Sequence, residues 1–315
     1  MKTSAYEPAG VIPAALMPFD RTFAIDETSY RSHLRELAET EGVDAITVNG
    51  HAAEVHALDV DEQLRSLAIA VDEVGATTPL VAGISSARTQ EAAQLARNAE
   101  AAGASALLLF PNEALALGGR LRPDSIRAHV GAVAEASRLP IVFFQYPTAS
   151  GLGIDLDDLV ALCAEIPTIR AIKDWCGDPY LHERHLRELH ALDRPVRVLT
   201  THSMWLLPSL ALGCDGILSG AGSVIASLQV ALWRAVQAGD LAEARRVNDR
   251  IHPAVRAFYA DPLLDMHNRM KEALVLLGRL GEAHVRPPLV KLPPGEIARI
   301  GAQLAEAGLL AEPGR

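Results

Sequence analysis

Lysine is almost missing from this chain. Of 29 Lys and Arg in 315 residues, only Lys2, Lys173, Lys271 and Lys291 are lysine. Aromatics are scarce too, at 4%, so a core must be assembled from Ala, Leu, Val and Ile. Positive charge is in deficit: the formal net charge of −10 argues against nucleic acid or an anionic membrane as partner. Three cysteines, Cys163, Cys176 and Cys214, are odd in number and lack metal-type spacing, which fits a reducing cytoplasm rather than a disulfide framework. No apolar run approaches the roughly 18–20 residues that cross a bilayer. The opening MKTSAYEPAGVIP lacks the apolar core of a secretion signal, so a cytoplasmic protein is expected.

What is present is a regular alternation. Eight apolar runs occur: GVIPAALMPF (10–19), DAITVNG (44–50), PLVAGISS (79–86), ALLLFP (106–111), IVFFQYP (141–147), IRAIKDW (169–175), VRVLTTH (196–202) and GILSGAG (216–222). Each is continuous rather than alternating, as parallel strands covered on both faces require. Helical patterns lie between them, for example RTQEAAQLARNAEAAGA, which starts after a Ser-Ser pair and stops at Gly103. Eight such units predict an α/β fold, a (β/α)8 TIM barrel. A doubly wound open sheet competes, but no G-x-G-x-x-G follows the first strand. After about residue 226 the patterns are helical only. The division read from the sequence is therefore a barrel over 1–225 and a C-terminal helical extension over 226–315, packed on the barrel as a cap or serving as an oligomer contact.

The barrel reading turns attention to one lysine. Lys2 lies in the N-terminal tail, and Lys271 and Lys291 in the polar C-terminal quarter. Lys173 instead ends the sixth apolar run, and barrel active sites lie at strand C-termini. Period-two geometry puts Ala171 and Lys173 on one side of the strand. If that side is the interior, desolvation frees the amine, which an arginine cannot achieve. A free amine at a barrel mouth suits Schiff-base formation with a carbonyl substrate. The competing reading is an exposed lysine paired with Asp174.

The order GVIPAALMPFD, NGHAAEVHAL, VFFQYPTASG, AIKD and GCDGILSGAGSV, with RPPL and AGLL near the end, resembles the dihydrodipicolinate synthase / N-acetylneuraminate lyase family of class I aldolases. The likeness runs from about residue 8 to the C-terminus. It implies a (β/α)8 barrel with added C-terminal helices and a homo-oligomer, tetramer or dimer. It also implies a sixth-strand lysine, matched by Lys173, that forms an imine with pyruvate or another 2-oxo acid. No cofactor and no metal are implied.

Several positions depart from the family pattern. Its second-strand Gly-(Ser/Thr)-Thr-Gly-Glu is replaced by Gly50-His51-Ala52-Ala53-Glu54, so the hydroxyls that contact a substrate carboxylate are gone. His51 could bond a carboxylate or move a proton, or simply pack the loop. The fifth-strand Tyr-Asn-x-Pro puts Phe144 in the tyrosine place and Gln145 in the asparagine place; a phenyl ring cannot transfer a proton. Tyr146, two residues on, faces the same side and is the candidate displaced acid–base, or else a wall residue. Ala149 stands where lysine-pathway synthases carry arginine, and Asn112 and Glu113 replace the usual fourth-strand tyrosines. The pattern argues against that synthase reaction. The ASG stretch resembles members that dehydrate 2-keto-3-deoxy sugar acids.

The remaining candidates sit on later strands. LTTHS puts Thr200, Thr201 and His202 at the mouth, His202 against a substrate tail or in water. GILSGAGS puts Ser219 and Gly220 where a ligand carboxylate approaches backbone N–H groups. HERHLRELH places His182, His185 and His190 on an amphipathic surface helix rather than in a metal site. Glu54 reads as a loop or cap carboxylate. The sequence thus predicts a cofactor-independent Schiff-base lyase, with Lys173 and Tyr146 catalytic and Gly50, His51, Ala52, Phe144, His202, Ser219 and Gly220 binding substrate. The alternative is a barrel that binds or senses a 2-oxo acid without turning it over, motivated by Phe144 and Ala52.

Overall fold

Every one of the eight apolar runs contains a strand in the computed structural model, which describes residues 6–310. The strands are β1 (Gly10–Pro13), β2 (Ile46–Val48), β3 (Leu80–Ile84), β4 (Ala106–Leu109), β5 (Ile141–Gln145), β6 (Ile169–Asp174), β7 (Arg197–Thr200) and β8 (Gly216–Ser219). All pair in parallel, in the order β1-β8-β7-β6-β5-β4-β3-β2. Bridges Val11↔Val43 and Ala14↔Thr47 join the two ends. The chain is a (β/α)8 barrel. Strand residues are buried throughout except the half-buried Arg170 and Arg197, which pair with Glu7 and so cost the core no unpaired charge.

Helices α1 (Glu27–Glu39), α2 (Val60–Val74), α3 (Thr89–Ala102), α4 (Pro123–Ala136), α5 (Leu156–Glu165), α6 (Pro179–His190), α7 (Leu206–Ala211) and α8 (Gly222–Gln237) follow the strands in turn. Local chemistry sets their ends. Asp59 and Glu62 close a reciprocal capping box on α2, and α3 stops at Gly103, whose φ of +96° suits glycine. Because α8 belongs to the eighth β–α unit, the added helices begin with α9 (Leu241–Phe258), followed by α10 (Met266–Leu276) and α11 (Pro294–Glu306). Helix α9 packs on α8 and α11, and α10 on α8, α9 and α11. The extension is tied to the barrel rather than held out from it. Among the described residues no helix is long and apolar enough to cross a membrane.

Candidate active site

Strand β6 delivers Lys173 into the barrel. Alternation along the strand sends Lys173 inward and Asp174 outward. The Lys173 side chain is 3% exposed, and its Nζ lies 4.0 Å from the centroid of the Phe144 ring on the adjoining strand. No salt bridge to it forms among the described residues. Burial lowers its pKa from 10.5 to about 7, so a sizeable share of the amine is neutral near neutral pH. The exposed Lys173–Asp174 pair weighed above does not form.

Asp174 serves a separate outer network. Its Oδ2 accepts from His182 Nδ1 at 2.7 Å and His185 Nδ1 at 2.8 Å, and its Oδ1 from the Cys176 N–H at 2.9 Å. Burial opposes the charge, yet the two histidine hydrogen bonds hold this carboxyl well below the ordinary carboxylate range. His182 and His185 are therefore fully buried, not on the solvent face of a surface helix as the sequence suggested. Helix α6 turns them inward because Asp174 offers a charge-assisted acceptor. Asp174, Cys176, His182 and His202 bring four donor atoms within 4.8 Å of one another, a set of the type that holds zinc. Spacing alone hides this set, whose members come from β6, α6 and the segments after β6 and β7. Each nitrogen in it already has a hydrogen-bond partner, which a metal would have to displace.

A small cavity opens in front of Lys173. It is lined by His51, Ala52, Phe144, Trp175, Thr201 and Gly220 from the barrel, and by Tyr259, Met266 and His267 from the end of α9 and the start of α10. His51 sits on a short turn between two left-handed non-glycine residues, Asn49 (φ 53°) and Glu54 (φ 52°). Such residues cost of order 1 kcal/mol and persist only when over-determined. Here three contacts do that. The Asn49 Nδ2 donates to Gln63 O at 2.8 Å. A Cβ on Gly83 would meet Asn49 O at 1.8 Å, so only glycine lets β3 pass the loop. Glu54 is bound by the buried ammonium of Lys271.

Two imidazoles face the lysine. The His51 and His267 rings meet edge-on at 4.9 Å. Burial, then the neighbouring charge of Lys173, lowers His51 to about 3; burial and the neighbouring His51 and Lys173 push His267 well below its usual value. Both are neutral at physiological pH. The cavity thus holds one amine, two neutral imidazoles, a phenol and the Thr201 hydroxyl, and, among the described residues, no arginine.

The structure brings together His51, Ala52, Phe144, Lys173 and Gly220 of the residues expected from sequence. Gly50 stands just behind, as the cap of the His51 turn. Ser219 lies one layer back, 2.9 Å from Ser203 Oγ. Two residues go elsewhere. The Tyr146 ring packs on Phe144 (centroids 4.4 Å apart) and Trp175 (5.3 Å) and is not part of the lining. His202 stacks on Trp205 at 4.1 Å and accepts from the Gly177 N–H at 3.2 Å, because the chain turns outward after β7. Gln145 points outward and holds the loop after β5, donating to Ile154 O at 2.7 Å. Sequence reading missed Tyr259, Met266 and His267, which carry no strand or spacing signal. Trp175 could have been found from its period-two step beyond Lys173.

A (β/α)8 barrel with a neutralisable lysine enclosed at its mouth defines a class, the lyases that hold a carbonyl substrate as a lysine imine. Comparison with known proteins narrows this. The profile of the Dihydrodipicolinate synthetase family matches residues 7–306. A 4-hydroxy-tetrahydrodipicolinate synthase of Kineococcus radiotolerans is 32% identical, with 96% of this chain and 94% of that protein covered. One from Methanococcoides burtonii is 30% identical, covering 96% and 99%. A solved structure from E. coli K12, a prophage protein of the dihydrodipicolinic acid synthase family in complex with pyruvate, superposes with a TM-score of 0.89 at 23% identity, covering 96% and 99%. That likeness speaks for the fold. The chain belongs to the dihydrodipicolinate synthetase family, and it is a class I lyase of the Schiff-base type.

Proposed function

We propose that Lys173 forms the imine, and that the substrate is a 2-keto-3-deoxy acid that is either cleaved to pyruvate and an aldehyde or dehydrated. The observation that carries the first part is the buried Lys173 amine, uncompensated by any carboxylate among the described residues and lowered to about 7, in the cavity at the C-terminal end of β6. The amine adds to C2 of the keto acid, water leaves, and the protonated imine draws electrons from C3. The substrate part is supported by what surrounds the lysine. His51 and His267 are neutral and no guanidinium lines the cavity, so a second carboxylate finds no cation there. Neutral hydroxyls on a substrate tail fit the donors and acceptors of His51, Thr201 and His267 better.

The names of the relatives favour a second reading, the condensation that a 4-hydroxy-tetrahydrodipicolinate synthase performs. One experiment addresses both. The protein is incubated with pyruvate or a 2-keto-3-deoxy sugar acid, reduced with borohydride and mapped by mass. An adduct on the Lys173 peptide, with the sugar acid consumed, supports the proposal. An adduct on another lysine, or none, refutes the assignment of Lys173. Turnover only in the synthase assay refutes the substrate.

A further inference from the structure

Forming and using an imine at Lys173 needs protons moved at the departing keto oxygen and at C3, yet Phe144 leaves the β5 side with no group to move them. The cavity contains one phenol, Tyr259, brought in by the C-terminal end of α9. Three groups surround its Oη. Ser203 Oγ donates to it at 3.2 Å, and Ser219 Oγ and the Ala221 N–H also hydrogen-bond it. Ser203 and Ser219 are buried, with their Oγ atoms 2.9 Å apart. Burial raises this phenol, and the three donors act in the opposite direction by stabilising its anion. The surroundings are those of a phenol that gives up its proton and takes it back. Its neighbours His51 and His267 are held neutral and so offer no imidazolium proton at neutral pH.

Resting on the lysine-imine reading above, we infer that Tyr259 is the acid–base residue of this enzyme, with Ser203 and Ser219 as its hydroxyl relay. The Lys173 nitrogen adds to C2, and one of its protons passes to the former keto oxygen, giving a carbinolamine. Tyr259 gives its proton to the C2 hydroxyl, the C2–O bond breaks, and water leaves, with the nitrogen lone pair forming the protonated imine. The Tyr259 phenolate then takes a proton from C3. The C3–H electrons form the C2=C3 bond, the imine becomes a neutral enamine, and the phenol is restored. No other reagent is needed.

The test reads deuterium entry into the methyl group of pyruvate in D2O by NMR, beside the borohydride-trapped adduct at equilibrium. Tyr259→Phe removes only the hydroxyl. It should keep the Lys173 adduct while exchange falls about 10²–10³-fold. Ser203→Ala should slow exchange roughly tenfold, a partial loss that tracks the relay. Tyr259→Phe exchanging within about threefold of the parent, with the adduct intact, overturns this inference and leaves the lysine reading standing. Loss of the equilibrium adduct in Tyr259→Phe marks a structural role and overturns it too. Absence of an adduct in the parent protein refutes both.

Discussion

Among the described residues two lysines are buried under phenylalanine rings, and they lead opposite lives. Lys173 Nζ lies 4.0 Å from the Phe144 centroid and Lys271 Nζ 4.3 Å from that of Phe19. Lys271 is fully buried, is paired with Glu54 and donates to His284 O at 2.8 Å. Lys173 has no such partner among the described residues. Burial lowers both, but at Lys271 the Glu54 charge and hydrogen bond work against that fall. Burial therefore does not make a lysine chemical. The lack of a counter-charge does, and at Lys173 the protein accepts that cost. The paired lysine has its own use: it clamps the loop that carries His51.

The contrast can be broken from either side. The largest effect is expected at Lys173→Met, which should lose the pyruvate adduct and turnover completely while gaining stability. The gain is on the order of a few kcal/mol, because an uncompensated amine leaves the interior. Its pH dependence follows from the lowered pKa. Below about 7 the parent lysine is protonated in both states and the full cost is present. Between about 7 and the unfolded value of 10.5 the folded state holds fewer protons, so parent stability rises with pH and the mutant's advantage shrinks. Denaturant midpoints at pH 6 and pH 9 check this, and an advantage that grows with pH would contradict it.

Lys271→Met should do the reverse and destabilise by about 3–5 kcal/mol, since Glu54 is left buried without its cation. Adding Glu54→Leu should restore part of that loss, and thermal melts of the three proteins show whether it does. A smaller effect concerns rate. The acid limb of imine formation should fall near pH 7, where the Lys173 amine becomes neutral, and a limb near pH 10 would mean that the lysine is not desolvated. The smallest change is expected at Tyr146→Phe, whose ring packs behind Phe144 and Trp175. Turnover should stay within about threefold, and a large loss would return Tyr146 to the acid–base role read from sequence.

Local pattern carried the barrel a long way. Continuous apolar runs appear wherever a strand is covered on both faces, so all eight strands were legible. Lys173 was legible too, through its place at the end of β6 and through the family likeness. The groups around it were read less evenly. His51, Ala52, Phe144 and Gly220 follow strand ends, and strand ends register with one another across the barrel. Tyr259, Met266 and His267 come from a helical segment whose pattern says only that it is amphipathic. Lys271 looked like a residue of a polar stretch, and His182 and His185 like a solvated face.

The amino-acid order by itself determined the eight-strand barrel, the place of Lys173 at a strand end and the absence of a hydroxyl at position 144, because strand period and covered faces are local properties. The tertiary structure alone decided which polar groups meet. It set Glu54 on Lys271, Asp174 on two histidines of α6, and Tyr259 beside Ser203 and Ser219. Pairs such as Glu54 and Lys271 are 217 residues apart, and no local rule weighs a desolvated charge before its partner is in place.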